Sequence, residues 1–255
     1  MAERVEVYKP LWGVGPVSLR DLSVEDGPTY HIGNTSELKI AHDENVTDLP
    51  DFDNVGGGTH AEVRRINSIE GSFIMHDLNA DNIALAIRGT RTSVESGTVT
   101  ESPRKAYTGS LIRLEHPGAT SVVVTSSDGN TTYDDVAVSG AGVTVTPGGD
   151  LATVIDALPG PSVGLPVLIS YAYGAFDEVQ ALTEAGKNWG LVFDGMNEAD
   201  SGKPVILDVW KMSLGVLSEL SLKGDAMGSM PISGKFLRDP TKGTGQSAYY
   251  RVQQM

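Results

Sequence analysis

The chain has 255 residues, of which 33 are Asp or Glu and 19 are Lys or Arg, so its formal net charge is −14. A chain this acidic does not neutralise phosphates, which argues against a nucleic-acid binder of the usual kind. The lack of cysteine excludes disulfides, thiol catalysis and Cys-ligated metal centres. The N-terminal MAERVEVYKP lacks the basic and apolar regions of a signal peptide, and no apolar run approaches the roughly 18 residues of a membrane span. We therefore expect a protein made in a cytosol and not inserted in a membrane.

Glycine and proline, with 30 and 13 residues, interrupt the chain at short intervals, and the segments between them are rich in β-branched residues. This pattern predicts a mainly-β fold. Thr35–Val46 is predicted as a strand, because Leu38, Ile40 and Val46 alternate with polar residues. A loop, Thr47–Thr59, follows and is too long for a tight hairpin turn.

A second strand is predicted over Ala61–Met75. Strict alternation puts Val63, Ile69, Phe73 and Met75 on one face, and Glu62, Arg64, Ser68, Glu70 and Ser72 on the other. The two strands indicate a sheet with one face in a core and one face towards water or a partner. A short helix is expected over Asn79–Arg88, capped by Asp77 and ended by a left-handed Gly89.

Tyr107–Tyr173 is predicted as a separate β unit. Five strand-length pieces lie between turns in it (LIRLEH, SVVVTSSDG, DVAVSG, GVTVTPGG and PVLISYAY), and Asp128-Gly129-Asn130 predicts a hairpin turn. Three prolines make Leu158–Pro166 an extended loop. Further on, Phe176–Ala185 is ambiguous, because local propensity favours a helix ending at Gly186 but the segment is brief. We expect strands over Pro204–Leu222 and a hairpin over Leu222–Arg238 around Gly224-Asp225.

No motif predicts an active site, a metal site or a cofactor. GPSVG, around Ser162, matches the G-x-S-x-G pattern of hydrolases, but the neighbouring prolines prevent the helix that this motif needs. Asp51, Asp53, Gly56 and Glu62 have a calcium-like spacing, although the flanking helices of an EF-hand are missing, so a solvated acidic loop is favoured. The five histidines show no metal-binding spacing.

Several segments, in order, resemble phage major tail tube proteins of long non-contractile tails. They are GNTSELK (Gly33–Lys39), DNIALAIRG (Asp81–Gly89), PVLISYAYG (Pro166–Gly174), FDGMNEADSGKPVILDVWKM (Phe193–Met212) and GKFLRDPTKGTGQSAYY (Gly234–Tyr250). Val17–Tyr30 departs from the family pattern. The resemblance implies a tail-tube β-sandwich or barrel with one short flanking helix, a long inter-ring loop and a β-rich insertion. It also implies that Phe176–Ala185 is a strand. The implied domains are residues 1–106 (N-terminal arm and first part of the tube domain), 107–173 (insertion) and 174–255 (second part and C-terminal arm).

The same resemblance implies a structural virion protein, found in the tail and assembled in the host cytoplasm, that forms stacked hexameric rings. Its partners would be other copies of itself, the tape measure protein, the tail terminator and baseplate proteins, with DNA passing through the lumen without specific binding. The implied functional residues form three groups. The inter-ring loop would contain Asp43, Glu44, Asp48, Asp51, Asp53 and His60; the lumen would be lined by Glu37, Lys39, Glu62, Arg64 and Glu70; the C-terminal arm would include Gln246, Tyr249 and Tyr250.

Two other classes of protein stay open. A β-sandwich of a phage baseplate or host cell could bind a ligand or carbohydrate, using Tyr171, Tyr173 and Trp189 as a stacking platform. A hydrolase could use Ser162 or a pair of carboxylates. Rings or tubes in negative-stain micrographs would separate the tail-tube hypothesis from both.

Overall fold

The computed structural model describes residues 10–160, 163–225 and 227–255, so Ser162 lies outside the described residues. The fold is mainly β, as predicted. The chain divides into two compact units: one comprises the chain up to Arg91 together with Val179–Met255, and the other is Thr92–Glu178. The sequence placed the corresponding boundaries at Tyr107 and Tyr173, inside the second unit.

The secondary-structure elements, in chain order, begin with β1 (Gly13–Val14), β2 (Val17–Asp21), β3 (Thr29–His31), β4 (Thr35–Pro50), β5 (Thr59–Met75), α1 (Ala80–Ala86) and β6 (Thr90–Val94). They continue with β7 (Gly97–Ala106), β8 (Leu111–Arg113), β9 (Thr120–Ser126), β10 (Thr132–Tyr133), β11 (Val136–Ser139), β12 (Gly142–Val145), α2 (Asp150–Asp156), β13 (Leu165–Tyr173) and β14 (Phe176–Gln180). The last are β15 (Asn188–Asn197), a 3₁₀ turn (Glu198–Asp200), β16 (Lys203–Leu214), β17 (Met230–Phe236) and β18 (Tyr250–Gln254).

A nine-stranded sheet forms the first unit, in the order β3-β2-β15-β16-β17-β5-β4, with β1 on β15 and β18 on β16. Leu19 of β2 pairs with Leu191 of β15, so the sheet joins distant parts of the sequence. One face buries Leu19, Phe73 and Met212 in a single apolar core, on which α1 packs through Ala86. Burial of these large side chains supplies most of the stabilisation, at about 1.5–3 kcal/mol for each.

Helix α1 confirms the predicted helix, although its ends differ from the prediction. Asn79, not Asp77, is the N-cap, and its side chain accepts from the backbone N–H of Asn82. Asp77 instead accepts from the backbone N–H of Asn34, 2.7 Å away. At the other end the left-handed residue is Arg88, with φ of 49°, because Gly89 is already folded back to donate to the carbonyl of Ala84 at 2.7 Å.

The second unit is a β-sandwich of two sheets, in the orders β10-β9-β13-β7 and β11-β12-β8. The five predicted strand pieces each overlap an observed strand, and β9 and β10 form the hairpin predicted at Asp128-Gly129-Asn130. Val124 and Ile169 from one sheet and Val143 from the other share its core.

Helix α2 is a second helix where the sequence predicted only one. Its residues Leu151, Ala152 and Ile155 have helical spacing and are buried. The cap for its first turn comes from the tertiary structure: the carboxylate of Asp135 accepts from the N–H of Leu151 at 3.0 Å. A seven-residue segment between glycines and prolines gives too little periodicity to reveal such a helix.

Three further predictions about the C-terminal part need correction. The predicted strand Phe176–Ala185 ends at Gln180, and the strand expected to run to Leu222 ends at Leu214. The described residues of Leu222–Arg238 contain one strand, β17, and it pairs with β5 and β16 instead of forming the predicted hairpin.

Candidate functional site

The candidate site is the long hairpin made by β4 and β5, which pair from Thr35 and Met75 to Pro50 and Thr59. Its proximal part covers the core, where Leu38, Ile40, Phe73 and Met75 are buried or packed against it. The distal part, residues 41–50 and 59–67, is exposed along its whole length. The predicted loop Thr47–Thr59 is therefore shorter than expected, because β4 continues to Pro50 and β5 begins at Thr59, and residues 51–58 connect the two strands.

A β-bulge at Asn67 separates the proximal and distal parts of the hairpin. Asp43 pairs with Ser68 and Glu44 pairs with Ile66, so Asn67 is an extra residue in β5. As a result, the even-numbered residues of β5 before Asn67 lie on the opposite face of the hairpin from the even-numbered residues after it. The prediction that Glu62 and Arg64 share a face with Glu70 is therefore wrong.

One face of the distal hairpin, continuous with the core face, is charged. Arg64 lies opposite Val46 and forms ion pairs with Glu62 on its own strand and with Glu44 on β4, the latter at 3.4 Å. Hydrogen bonds from Arg64 to Glu62 and Glu44 raise the pKa of Arg64 further above its ordinary value. Because all these side chains are exposed, the ion pairs hold the side chains in position on this face but add little to the stability of the fold.

The other face of the distal hairpin is largely uncharged. Thr47 pairs with Val63 and Leu49 pairs with Ala61, which places the four side chains together. Leu49 is 52% exposed and Val63 is 54% exposed. Adjacent exposed aliphatic residues on a two-stranded ribbon are typical of a surface that a partner covers.

The tip of the hairpin is a defined turn that presents apolar side chains. The carboxylate of Asp51 accepts from the N–H of Asp53 at 2.9 Å and from the side-chain amide of Asn54. These bonds, the one from Asn54 most of all, hold the pKa of Asp51 below its ordinary value. The N–H of Asp51 closes the loop on the carbonyl of Gly58 at 2.8 Å. Phe52, 83% exposed, projects from this turn.

The residues predicted for an inter-ring loop all lie on this hairpin. Asp43, Glu44 and Asp48 are in β4, Asp51 and Asp53 are in the tip, and His60 is at the start of β5. The considered calcium-binding arrangement does not form, since Glu62 pairs with Asp48 within the ladder instead of closing the loop. Within the described residues no cluster of three or more His, Asp or Glu could hold a metal ion.

Each of the three acids predicted to line a lumen, Glu37, Glu62 and Glu70, forms an ion pair with a base. Glu37 accepts a hydrogen bond from Lys39 at 2.6 Å, which lowers the pKa of Glu37. Glu70 lies 3.5 Å from Lys235. Lys39 pairs with Ser72 and Glu70 pairs with Ala41, so Lys39 and Glu70 share the outward face of the proximal sheet. The acids of that face are therefore paired with bases.

The C-terminal residues are part of the first unit's own sheet. Strand β18 pairs antiparallel with β16, with Tyr250 opposite Val209. The ring of Tyr250 meets Phe236 edge-on at 6.0 Å, and its hydroxyl lies 3.0 Å from Nε2 of His42. Tyr249 packs against the same core, and Gln246 lies in the exposed loop before β18. The predicted C-terminal arm is therefore an intramolecular strand.

The three aromatic residues considered as a carbohydrate-binding platform belong to two different units of the protein. Tyr171 is only 3% exposed and belongs to the core of the second unit, where its hydroxyl lies 3.0 Å from Nδ1 of His116. The ring of His116 stacks on Tyr173 at 3.8 Å. Trp189 belongs to the first unit and packs against that unit's core.

A second surface, missed by the sequence analysis, surrounds Trp210 on the outward face of β16. The Trp210 indole N–H donates to the carbonyl of Ser247 at 2.9 Å. The ammonium of Lys242 lies 3.9 Å from the ring centroid. Single aromatic and basic residues on separate elements leave no local sequence signal, because only the tertiary structure brings them together.

These features define a mainly-β protein of two units whose first unit extends a long exposed hairpin. The chain belongs to the family described as Protein of unknown function UCP028589, whose model matches residues 10–253. None of the curated proteins matches it. Within the described residues, no helix is both long and apolar enough to cross a membrane.

Proposed function

We propose that this chain is the major tail tube protein of a phage with a long non-contractile tail. It assembles as stacked hexameric rings that form the conduit for genome delivery, in contact with the tape measure protein, the tail terminator and the baseplate. The observation that carries this proposal is the exposed distal part of the β4–β5 hairpin.

A two-stranded ribbon that packs on nothing is marginally stable in water. The distal hairpin nevertheless extends for seven ladder residues beyond Asp43 on β4, roughly 23 Å at the usual rise per residue. It exposes Leu49, Phe52 and Val63 to solvent. A neighbouring subunit would cover these side chains, and the apolar area removed from water would favour assembly by about 25 cal/mol per Å².

The open edges of the first unit's sheet support the same proposal. The outermost strands of the sheet are β3 and β4, so among the described residues each has one edge without a strand partner. Soluble proteins protect such edges, and closing subunits into a ring is one way to do so. The hairpin would connect successive rings, while sheet edges would meet around each ring.

The test compares the wild-type chain with a hairpin-shortened variant, in which residues 45–65 are replaced by Asn-Gly. This two-residue turn joins Glu44 to its ladder partner Ile66 and leaves the core untouched. For concentrated wild-type protein, we expect rings or tubes in negative-stain micrographs and correspondingly large assemblies in sedimentation velocity. The variant should melt like the wild type but form no tubes. A wild-type chain that stays monomeric at high concentration, or a variant that still forms tubes, would contradict the proposal.

A further inference from the structure

The Trp210 surface lies on the outward face of β2, β15, β16 and β18. Trp210 is flanked by Lys242 and by Arg251, whose guanidinium lies 5.3 Å from the ring centroid. Arg251 is held by the carboxylate of Asp208 at 2.6 Å. The indole is therefore fixed in position between two cations, with its N–H already bonded to Ser247.

Three hollows meet at Trp210. The first, of about 220 Å³, lies over Gly190, which has no side chain to fill it, and Arg20 and Asp208 also line it. The other two, of about 520 Å³ each, extend from Trp210 towards Lys187 and Lys211 on one side and towards Gln246 and Arg251 on the other. The indole is thus accessible from several directions.

The charge of this surface is opposite to that of the whole chain. Five bases line the hollows: Arg20, Lys187, Lys211, Lys242 and Arg251. The acids beside them are Asp208 and Asp239, with Asp21 3.7 Å from Lys187. Among the described residues, Arg20 makes no ion pair. An excess of positive charge around an aromatic ring, in a chain of net charge −14, indicates an acidic partner with an apolar group.

The hairpin tip has the complementary chemistry. Residues 43–65 contain six acids and two bases: Asp43, Glu44, Asp48, Asp51, Asp53 and Glu62 against Arg64 and Arg65. Phe52 projects between Asp51 and Asp53 at the end of this acidic segment. An exposed aromatic ring flanked by carboxylates matches an indole flanked by ammonium and guanidinium groups.

We propose that the Trp210 surface is the receptor for the hairpin tip of a second copy of this chain. The proposal rests on the proposed tube function and specifies the surface that receives the hairpin. Phe52 packs against Trp210, and Asp51 and Asp53 face the surrounding bases. The contact joins two different surfaces of identical subunits, so each subunit can bind one neighbour and be bound by another, and the assembly propagates.

The test is a charge exchange. One variant carries Asp48→Lys and Asp53→Lys on the hairpin, and a second carries Arg20→Glu and Lys211→Glu on the Trp210 surface. We expect each to fold but to need at least about tenfold more protein to form tubes. A chain with all four substitutions has complementary surfaces again and should regain assembly. Lys105→Glu with Lys223→Glu, at exposed positions outside the three hollows, lowers the net charge as much as the second variant does and serves as its charge-matched control.

A binding measurement tests the contact without assembly. The hairpin-shortened variant keeps the Trp210 surface, and the full chain with Arg20→Glu and Lys211→Glu keeps the hairpin tip. We expect the two chains to bind each other with a change in tryptophan fluorescence that is lost when the hairpin-shortened variant also carries Trp210→Phe and that weakens as salt is raised.

The outcomes separate the two proposals. If wild-type tubes form but neither charge exchange affects them, or the four-substitution chain does not recover, the receptor assignment is wrong and the tube function stands. If the wild type forms no assembly, the tube function is wrong. Binding of an oligonucleotide, but not of the chain that supplies the hairpin tip, to the hairpin-shortened variant would overturn the receptor assignment in favour of a nucleic-acid site.

Discussion

The side-chain amide of Asn67 donates to the carboxylate of Asp43 at the point where the register of β4 and β5 shifts by one residue. This contact secures the bulge that decides which face each distal side chain occupies. Deletion of Asn67 should restore strict alternation and move Glu62, Arg64 and Val63 to the opposite faces.

Deleting Asn67 should therefore abolish tube formation and leave the proximal sheet folded, because the distal residues contribute nothing to the core. Micrographs and thermal unfolding by circular dichroism measure the two effects. Asn67→Ala is the matched control, since it removes the hydrogen bond but keeps the extra residue. Normal tubes from the deletion variant would show that the faces of the distal hairpin do not matter.

Two residues of the same strand should separate folding from assembly. Phe73 is 1% exposed and lies in the core, so Phe73→Ala should lower the free energy of unfolding by about 3–5 kcal/mol. Val63→Ala should change the unfolding free energy of the unassembled chain by about 0.5 kcal/mol or less, and should raise the protein concentration needed for tubes. Urea unfolding and sedimentation measure these quantities. Equal effects of both substitutions on stability would mean that the distal hairpin is packed within the subunit.

Removal of residues 250–255 should destabilise the first unit as a whole. The strand pairs with Val205, Leu207 and Val209 of β16, and its loss exposes a central strand of the nine-stranded sheet. We expect a lower melting temperature and aggregation of the truncated chain. Arg251→Ala, which removes the ion pair to Asp208 and keeps the strand, should have a much smaller effect. An unchanged melting temperature after truncation would instead favour a free C-terminal arm.

Asp128 should make the free energy of unfolding of the second unit depend on pH in the acidic range. Hydrogen bonds from Ser126 and Asn130 lower the pKa of Asp128 to about 2, against about 3.9 in an unfolded chain. The folded state therefore favours the ionised form. This contribution is fully present above about pH 4 and is lost as the pH falls towards 2.

The carboxyl resonances of Asp128, followed by NMR between pH 5 and 1.5, should report this low pKa. Asp128→Asn should reduce the loss of stability over the same range, whereas Asp134→Asn, a neighbouring exposed position, serves as a control for the charge change. A midpoint near 4 for Asp128 would show that the turn does not stabilise the carboxylate.

Local patterns predicted much of the β structure, because alternation and turn residues act over a few positions. The strands of the second unit and the turn at Asp128 are of this kind. The bulge at Asn67 was not predictable, since alternation assumes an unbroken ladder and Asn is compatible with either face. Helix α2 was missed because Asp135, distant in sequence, caps it.

The candidate site was likewise predictable only in part. The acidic segment from Asp43 to Glu62 is visible in the sequence, and its exposure follows from charge. The pairing of β18 with β16 and the surroundings of Trp210 depend on contacts between distant segments, which no local pattern records.

The pairing of Leu19 with Leu191 also determines the order in which the chain can fold during synthesis. Strand β2 leaves the ribosome early, but its partner β15 is made much later. Strand β16 pairs with β18, which contains some of the last residues to be made. The second unit lies entirely between β2 and β15 in sequence and completes its two sheets once β13 has emerged. It therefore folds first, and the hairpin of β4 and β5 remains attached to an unfinished sheet until translation ends. In the proposed tube assembly, association of subunits would therefore be delayed until the chain is complete.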